Sequence, residues 1–109
     1  MNGYSAVEEA TKLIGVFGGV ESLKETALPI INLVLCEMGQ NQTETLSSEI
    51  PLSTTNHKAA LISGVASKVA AAIGDTNSAE WAHQAFKRQL AILKGSVSAV
   101  KDILPKGEF

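Results

Sequence analysis

Apolar residues recur every three or four positions along most of this chain, a spacing that predicts amphipathic α-helices rather than strands. The first helix is expected to begin at Ser5, because Ser5 and Glu8 form the S-x-x-E pattern of a capping box. Gly18-Gly19 is expected to end it, since glycine readily adopts the left-handed backbone that closes many helices.

The second helix repeats the capping pattern at Ser22 and Glu25. Pro29 lies inside its apolar pattern, which predicts either a kink or a break into two helices. The stretch 28–35 is apolar nearly all round apart from Asn32, so we expect it to be central in the core. The amide of Asn32 then needs a hydrogen-bonding partner inside the protein.

The longest polar stretch of the chain covers residues 40–55 and is rich in Gln, Asn, Thr, Ser and Glu. Loops of this length are uncommon within compact domains. We expect Leu46, Ile50 and Leu52 to hold the loop against the helices. A second hypothesis is that the loop acts as a hinge through which two chains exchange helical hairpins.

The third helix is predicted from about His57 to Ile73, with Thr55 or Asn56 as its cap and Gly74 as its end. The fourth is predicted to begin between Asp75 and Ser78 and to end at Leu104, before Pro105. Its most regular feature is a heptad seam, an apolar row with alternating spacings of four and three that favours packing against another helix. The seam consists of Phe86, Leu90, Leu93, Val97, Val100 and Leu104.

These elements predict an all-α fold: a compact four-helix up-down bundle, or a five-helix one if the second helix breaks at Pro29. The 109 residues fit a single domain covering 1–109. Within it, residues 5–38 form a first helical hairpin, 40–55 the connecting loop, and 56–104 a second helical hairpin.

A second apolar row flanks the seam of the fourth helix, which makes its apolar face wider than one neighbouring helix needs. The wide face could be covered by two helices of the same chain, or by one of them and one helix of a partner chain. Our first hypothesis is the second arrangement, as a homodimer. Trp81 is expected to close one end of the core or to anchor a partner or ligand, in a pocket shared with Phe86 and Phe17. The candidate interface or ligand-contact residues are Trp81, Ala85, Phe86, Ile92, Ala99, Ile103 and Cys36.

Charge separates the two halves of the chain, although its net charge is only -2. Residues 1–55 contain seven acidic residues and two lysines, whereas residues 56–109 contain seven basic residues and four acidic ones. The simplest interpretation is that the halves neutralise each other; the alternative is a basic face on the last helix that binds an acidic protein partner. A nucleic-acid partner is not expected without an overall basic excess.

Cys36 is the single cysteine and lies in an apolar run, so we expect a buried thiol and a reducing, cytoplasmic location. No signal peptide is expected, because Glu8 and Glu9 interrupt the region where its apolar core would run. No membrane span is expected either, since no apolar stretch reaches the roughly 18 residues needed to cross a bilayer.

No catalytic, metal or cofactor motif is visible, so we expect a non-catalytic protein without a cofactor. His57 and His83 are expected at the start of the third helix and on the polar side of the fourth. Glu37 is the only carboxylate candidate for a raised pKa, because it ends the apolar run. An alternative function is binding of a small apolar ligand in a cavity near Pro29, Cys36 and Trp81.

A second alternative follows from Ala60, Gly64, Val65, Ala66, Val69 and Ile73. Their spacing loosely resembles the helix-turn-helix pattern of bacterial repressors. The resemblance covers about 15 residues and implies a turn at Gly64 and a second helix that enters the DNA major groove. That helix offers only Ser67 and Lys68 for contact with DNA, so we predict one continuous alanine-rich helix instead.

Overall fold

The computed structural model describes residues 1–15, 25–52 and 54–106, with the side chains of residues 94–106 outside this description. It confirms an all-α helical bundle. The described helices are α1 (Gly3–Leu13), α2 (Ala27–Glu37), α3 (Thr55–Ala72) and α4 (Thr76–Lys106). Across the described ranges no strand is present, and one isolated antiparallel bridge joins Asn2 to Glu49.

Helix α1 begins and ends earlier than its sequence pattern predicts. Its N-cap is Asn2, whose side-chain oxygen accepts a hydrogen bond of 2.9 Å from the backbone N–H of Ser5. The predicted capping box at Ser5 and Glu8 is therefore wrong, because an equally good capping residue precedes it by three positions. The helix closes at Gly15, which has a φ of 75°, and not at Gly18-Gly19.

Helix α2 accommodates its proline without a break. It begins at Ala27, so Pro29 occupies the first turn, where the backbone N–H groups have no helical partner in any case. The helix Ala27–Glu37 continues through the proline. The part of the predicted second helix before residue 25 lies outside the described residues, so its division into two helices stays a prediction. Glu25 lies in a turn before the helix, and Ser22 lies outside the described residues.

The polar loop is tied to the bundle at several points. As predicted, Asn32 finds a partner: its amide donates to the backbone oxygen of Thr43 at 3.0 Å and accepts from the N–H of Thr43 at 2.9 Å. Ile50 is buried, and Leu46 and Leu52 pack partly buried against the core, which confirms all three as anchors.

The N-terminal residues form backbone hydrogen bonds with the same loop. The backbone N–H of Tyr4 donates to the oxygen of Leu46 at 3.2 Å, and that of Ile50 donates to the oxygen of Met1 at 2.8 Å. Gly3 lies against Leu46 so closely that an added Cβ would be 3.0 Å from the Leu46 Cα.

Helices α3 and α4 form a hairpin around a tight turn. Thr54 caps α3 through a hydrogen bond from the N–H of His57, so neither Thr55 nor Asn56 is the cap. Gly74, with a φ of 83°, closes α3 as predicted. Asp75 caps α4, and hydrogen bonds from the hydroxyl and N–H of Ser78 lower the pKa of its carboxyl group. The helix runs to Lys106, past the end predicted before Pro105.

Helix α3 occupies the centre of the bundle and packs against α1, α2 and α4. Its residues Ala60 to Ala70 are buried almost all round, as expected for a central helix built from small side chains. Gly64 allows the closest approach, because a Cβ there would be 2.5 Å from Val34 of α2 and 3.0 Å from Phe86 of α4. The helix is continuous through Gly64, so the turn implied by the helix-turn-helix resemblance is wrong.

Candidate interaction surface

Helix α4 carries two apolar rows, and only one of them is covered by α3. The covered row is the described part of the seam: Phe86 is 2% exposed, and Leu90 and Leu93 pack partly buried against the core. The second row, here called the α4 row, comprises Trp81, Ala85 and Ile92. These residues share a helix face because they are four and seven positions apart.

The α4 row remains open to solvent. The exposed fractions of Trp81 and Ile92 are both 51%, and Ala85 between them is half-buried. Among the described helices, α4 packs extensively only against α3. No second described helix therefore covers the α4 row. Ala99 and Ile103, which continue it in the sequence, lie outside the described side chains.

Trp81 does not close the core, contrary to one of its two predicted roles. It lies at a groove of about 340 Å³ whose other lining residues are Leu13, Ile14, Asn77 and Ser78. Phe86 is separated from this groove because it packs into the core against Gly64. Phe17, the third member of the predicted pocket, lies outside the described residues.

Cys36 is exposed near the end of α2, so the prediction of a buried thiol is wrong. The physical reason is that the apolar run faces in more than one direction. Ile31, Val34 and Leu35 point into the core, whereas Leu33 is 56% exposed and Cys36 follows it one turn later on the outer side. Pro29 is also exposed, so the residues proposed to border a ligand cavity around Pro29 and Cys36 face solvent.

A second groove, here called the α1–α3 groove, has a volume of about 450 Å³. Its apolar lining comes from Leu13 of α1, which is 45% exposed, and from the half-buried Ala59 and Ile62 of α3. Sequence reasoning did not identify this groove. The signal was present, since Leu13 and Ile62 belong to the predicted apolar patterns, but their exposure depends on how two distant helices pack.

The α1–α3 groove is lined by one acidic and one basic side chain, Glu9 and Lys12. Glu9 contributes to its lining, and Glu8 precedes it on the same helix. Lys12 lies 3.4 Å from Glu8 and 3.9 Å from Glu9, with all three side chains more than half exposed. The three residues together carry one net negative charge.

A third groove of about 480 Å³ lies between α3 and α4, and its lining is more polar than that of the α1–α3 groove. Lys68, Glu80 and His83 line it, above the small side chains of Ala71 and Ala79. Lys68 forms an ion pair of 3.0 Å with Glu37, so the only carboxylate singled out as a catalytic candidate has a basic partner. His83 is exposed, as expected for the polar side of α4.

His57 contacts the cap of its own helix, with its Nδ1 2.6 Å from the Thr54 hydroxyl. Within the residues described, no group of three or more His, Cys, Asp or Glu side chains could hold a metal ion. Among the described helices, none combines the length and apolar character that crossing a membrane requires.

Comparison with known proteins found no matching family model, no matching curated protein and no matching solved structure.

Proposed function

We propose that this protein is a non-catalytic interaction protein that forms a homodimer through α4. The observation that carries the proposal is the α4 row. Two large apolar side chains, Trp81 and Ile92, are half exposed on one face of a helix, with only Ala85 and the charged Arg88 between them at the same face. Burying such a row against another chain removes apolar surface from water, which favours association.

The length of α4 supports the same proposal. The helix has 31 residues, whereas its partner α3 has 18, so 13 residues of α4 have no counterpart in the hairpin. At 1.5 Å per residue this difference is about 20 Å. The molecule is accordingly elongated, with dimensions of 55 × 31 × 18 Å. In the sequence the seam and the flanking row both continue into this part of α4.

The charge distribution favours a second copy of this chain as the partner of α4. Residues 81–106 contain five basic residues and one acidic residue, whereas residues 1–80 contain four lysines and nine acidic residues. Residues 1–80 of one copy, which are acidic overall, can therefore attract the basic residues 81–106 in α4 of another copy. Such complementarity raises the association rate and selects the orientation of the partners.

The proposal includes a cytoplasmic location. Its support is the single cysteine, since an exposed thiol that has no second cysteine in the chain is suited to a reducing compartment.

Sedimentation equilibrium of the purified protein tests the dimer directly. We expect the wild type to have twice the monomer mass at micromolar concentration. Ile92→Glu should abolish the dimer because it places a charge in the apolar row. Leu33→Glu is the matched control, since Leu33 is similarly exposed (56%, against 51% for Ile92) but lies on α2. Trp81→Ala should weaken the dimer as well.

Circular dichroism must show that each variant keeps its helical content. The proposal is wrong if the wild type remains a strict monomer at high micromolar concentration. It is also wrong if Ile92→Glu changes the dissociation constant of the dimer no more than Leu33→Glu does.

A further inference from the structure

We infer that in the dimer the α4 row of one copy docks into the α1–α3 groove of the other. This inference rests on the proposed function and adds the surface that receives α4. Both surfaces present apolar side chains: the shallow groove presents Leu13 and Ile62, and the helix face presents Trp81 and Ile92.

The charges beside the two surfaces are opposite. Arg88 lies one turn before Ile92 and two turns after Trp81, so it shares the face of the row, and Lys87 is adjacent to it; both are exposed. On the groove side, Glu8 and Glu9 are the acidic pair. When the apolar side chains of α4 enter the groove, Lys87 and Arg88 come beside these carboxylates.

Lys12 already interacts with both carboxylates and competes with the basic residues of α4 for them. Its two contacts are between highly exposed side chains, and such pairs contribute about 0–1 kcal/mol. Because Lys12 carries one positive charge and the two glutamates carry two negative charges, one negative charge of the glutamates is not neutralised. An approaching Arg88 can form a bidentate hydrogen-bonded pair with a carboxylate, which is a stronger interaction than the single lysine contacts at 3.4 and 3.9 Å.

The obvious alternative is that two α4 helices pair with each other along their rows. That arrangement brings Lys87 and Arg88 of one copy toward the same residues of the other. Like charges at neighbouring positions on packed helices are destabilising, and nearby acidic residues on α4 are too few to compensate. The α1–α3 groove avoids this repulsion.

A charge-exchange experiment tests the docking. One variant carries Glu8→Lys and Glu9→Lys, and the other carries Lys87→Glu and Arg88→Glu. Each variant alone places like charges at both docking contacts, so we expect its dissociation constant to rise about tenfold or more. In an equimolar mixture every contact between the two variants again joins opposite charges, so the mixed dimer should form with near wild-type affinity.

Two controls accompany the mixture. Glu44→Lys changes an exposed loop carboxylate away from the groove and should leave the dimer unchanged. Added salt should weaken the wild-type dimer, because screening reduces attraction between exposed opposite charges. Melting temperatures of the single variants show whether they remain folded.

The outcomes separate this inference from the proposed function. A wild-type dimer whose charge variants do not recover on mixing overturns the docking but leaves the dimer. A dimer tightened by added salt, or by the neutral change Lys87→Gln with Arg88→Gln, assigns the α4–α4 pairing instead. A monomeric wild type that binds a synthetic glutamate-rich amphipathic helix overturns both and assigns an acidic helix as the partner.

Discussion

Replacement of Gly64 by alanine tests the packing at the centre of the bundle. The new Cβ would lie 2.5 Å from the Val34 Cγ1 and 3.0 and 3.1 Å from two ring carbons of Phe86. Carbon atoms in contact normally lie about 3.5–4.0 Å apart, so Val34 of α2 has to move by about 1 Å and the Phe86 ring by about 0.5 Å. Neither neighbour can move into solvent, because Val34 is 0% exposed and Phe86 is 2% exposed.

Two effects of opposite sign decide the stability of Gly64→Ala. Alanine favours the helix over glycine by about 1 kcal/mol. Overpacking of a closed core costs about 1–3 kcal/mol. Because both neighbours are enclosed, we expect the upper part of this range and a net loss of about 1–2 kcal/mol. For a domain of this size, each kcal/mol corresponds to a decrease of roughly 4–8 °C in Tm.

Urea denaturation followed by circular dichroism, at one fixed protein concentration, measures the change. Ala71→Gly provides the propensity control, because Ala71 is exposed on the same helix. Val34→Ala removes the atom that clashes, so the double variant with Gly64→Ala should lose less stability than the two single variants together. A Gly64→Ala protein more stable than wild type, or a strictly additive double variant, would refute the tight three-helix contact.

Two further predictions concern buried polar groups. Asn32→Ala removes both hydrogen bonds to Thr43 and should cost about 1–3 kcal/mol in urea denaturation, with faster hydrogen exchange at the Thr43 amide; Asn41→Ala, an exposed change in the same loop, should cost little. Gln89→Leu should instead stabilise the protein by about 1 kcal/mol, because the Gln89 Oε1 atom is buried and has no hydrogen-bond partner among the described residues. Gln84→Leu is its exposed control, and equal effects of the two glutamine variants would contradict the second prediction.

The periodicity of apolar residues predicted the class of fold and four helices, because that signal is local to each segment. Helix ends were less predictable. Asn2 and Thr54 are the caps of α1 and α3, but the sequence offers a competing Ser or Thr within three positions of each. Several residues satisfy the chemistry of a cap, and the packing of the finished helix selects one of them.

The candidate surface was predicted in part. Trp81, Ala85 and Ile92 do lie together on one face of α4, as helical spacing requires. Phe86 was grouped with them but belongs to the covered row, and Cys36 lies on another helix. Spacing fixes which residues share a face, but which face meets α3 depends on contacts between segments far apart in the sequence. The α1–α3 groove was missed for the same reason.

The distribution of small and large side chains explains why one row stays open. Helix α3 carries Gly64 and many alanines, so three helices approach it closely and most of its residues 60–70 are buried. Helix α4 is peripheral and amphipathic, and one neighbour covers only one of its rows. Single exposed apolar residues such as Leu33 are common on protein surfaces and need no explanation. Trp81 and Ile92 differ because they are aligned on one rigid helix beside two basic residues, an arrangement suited to a helical partner face rather than to solvent.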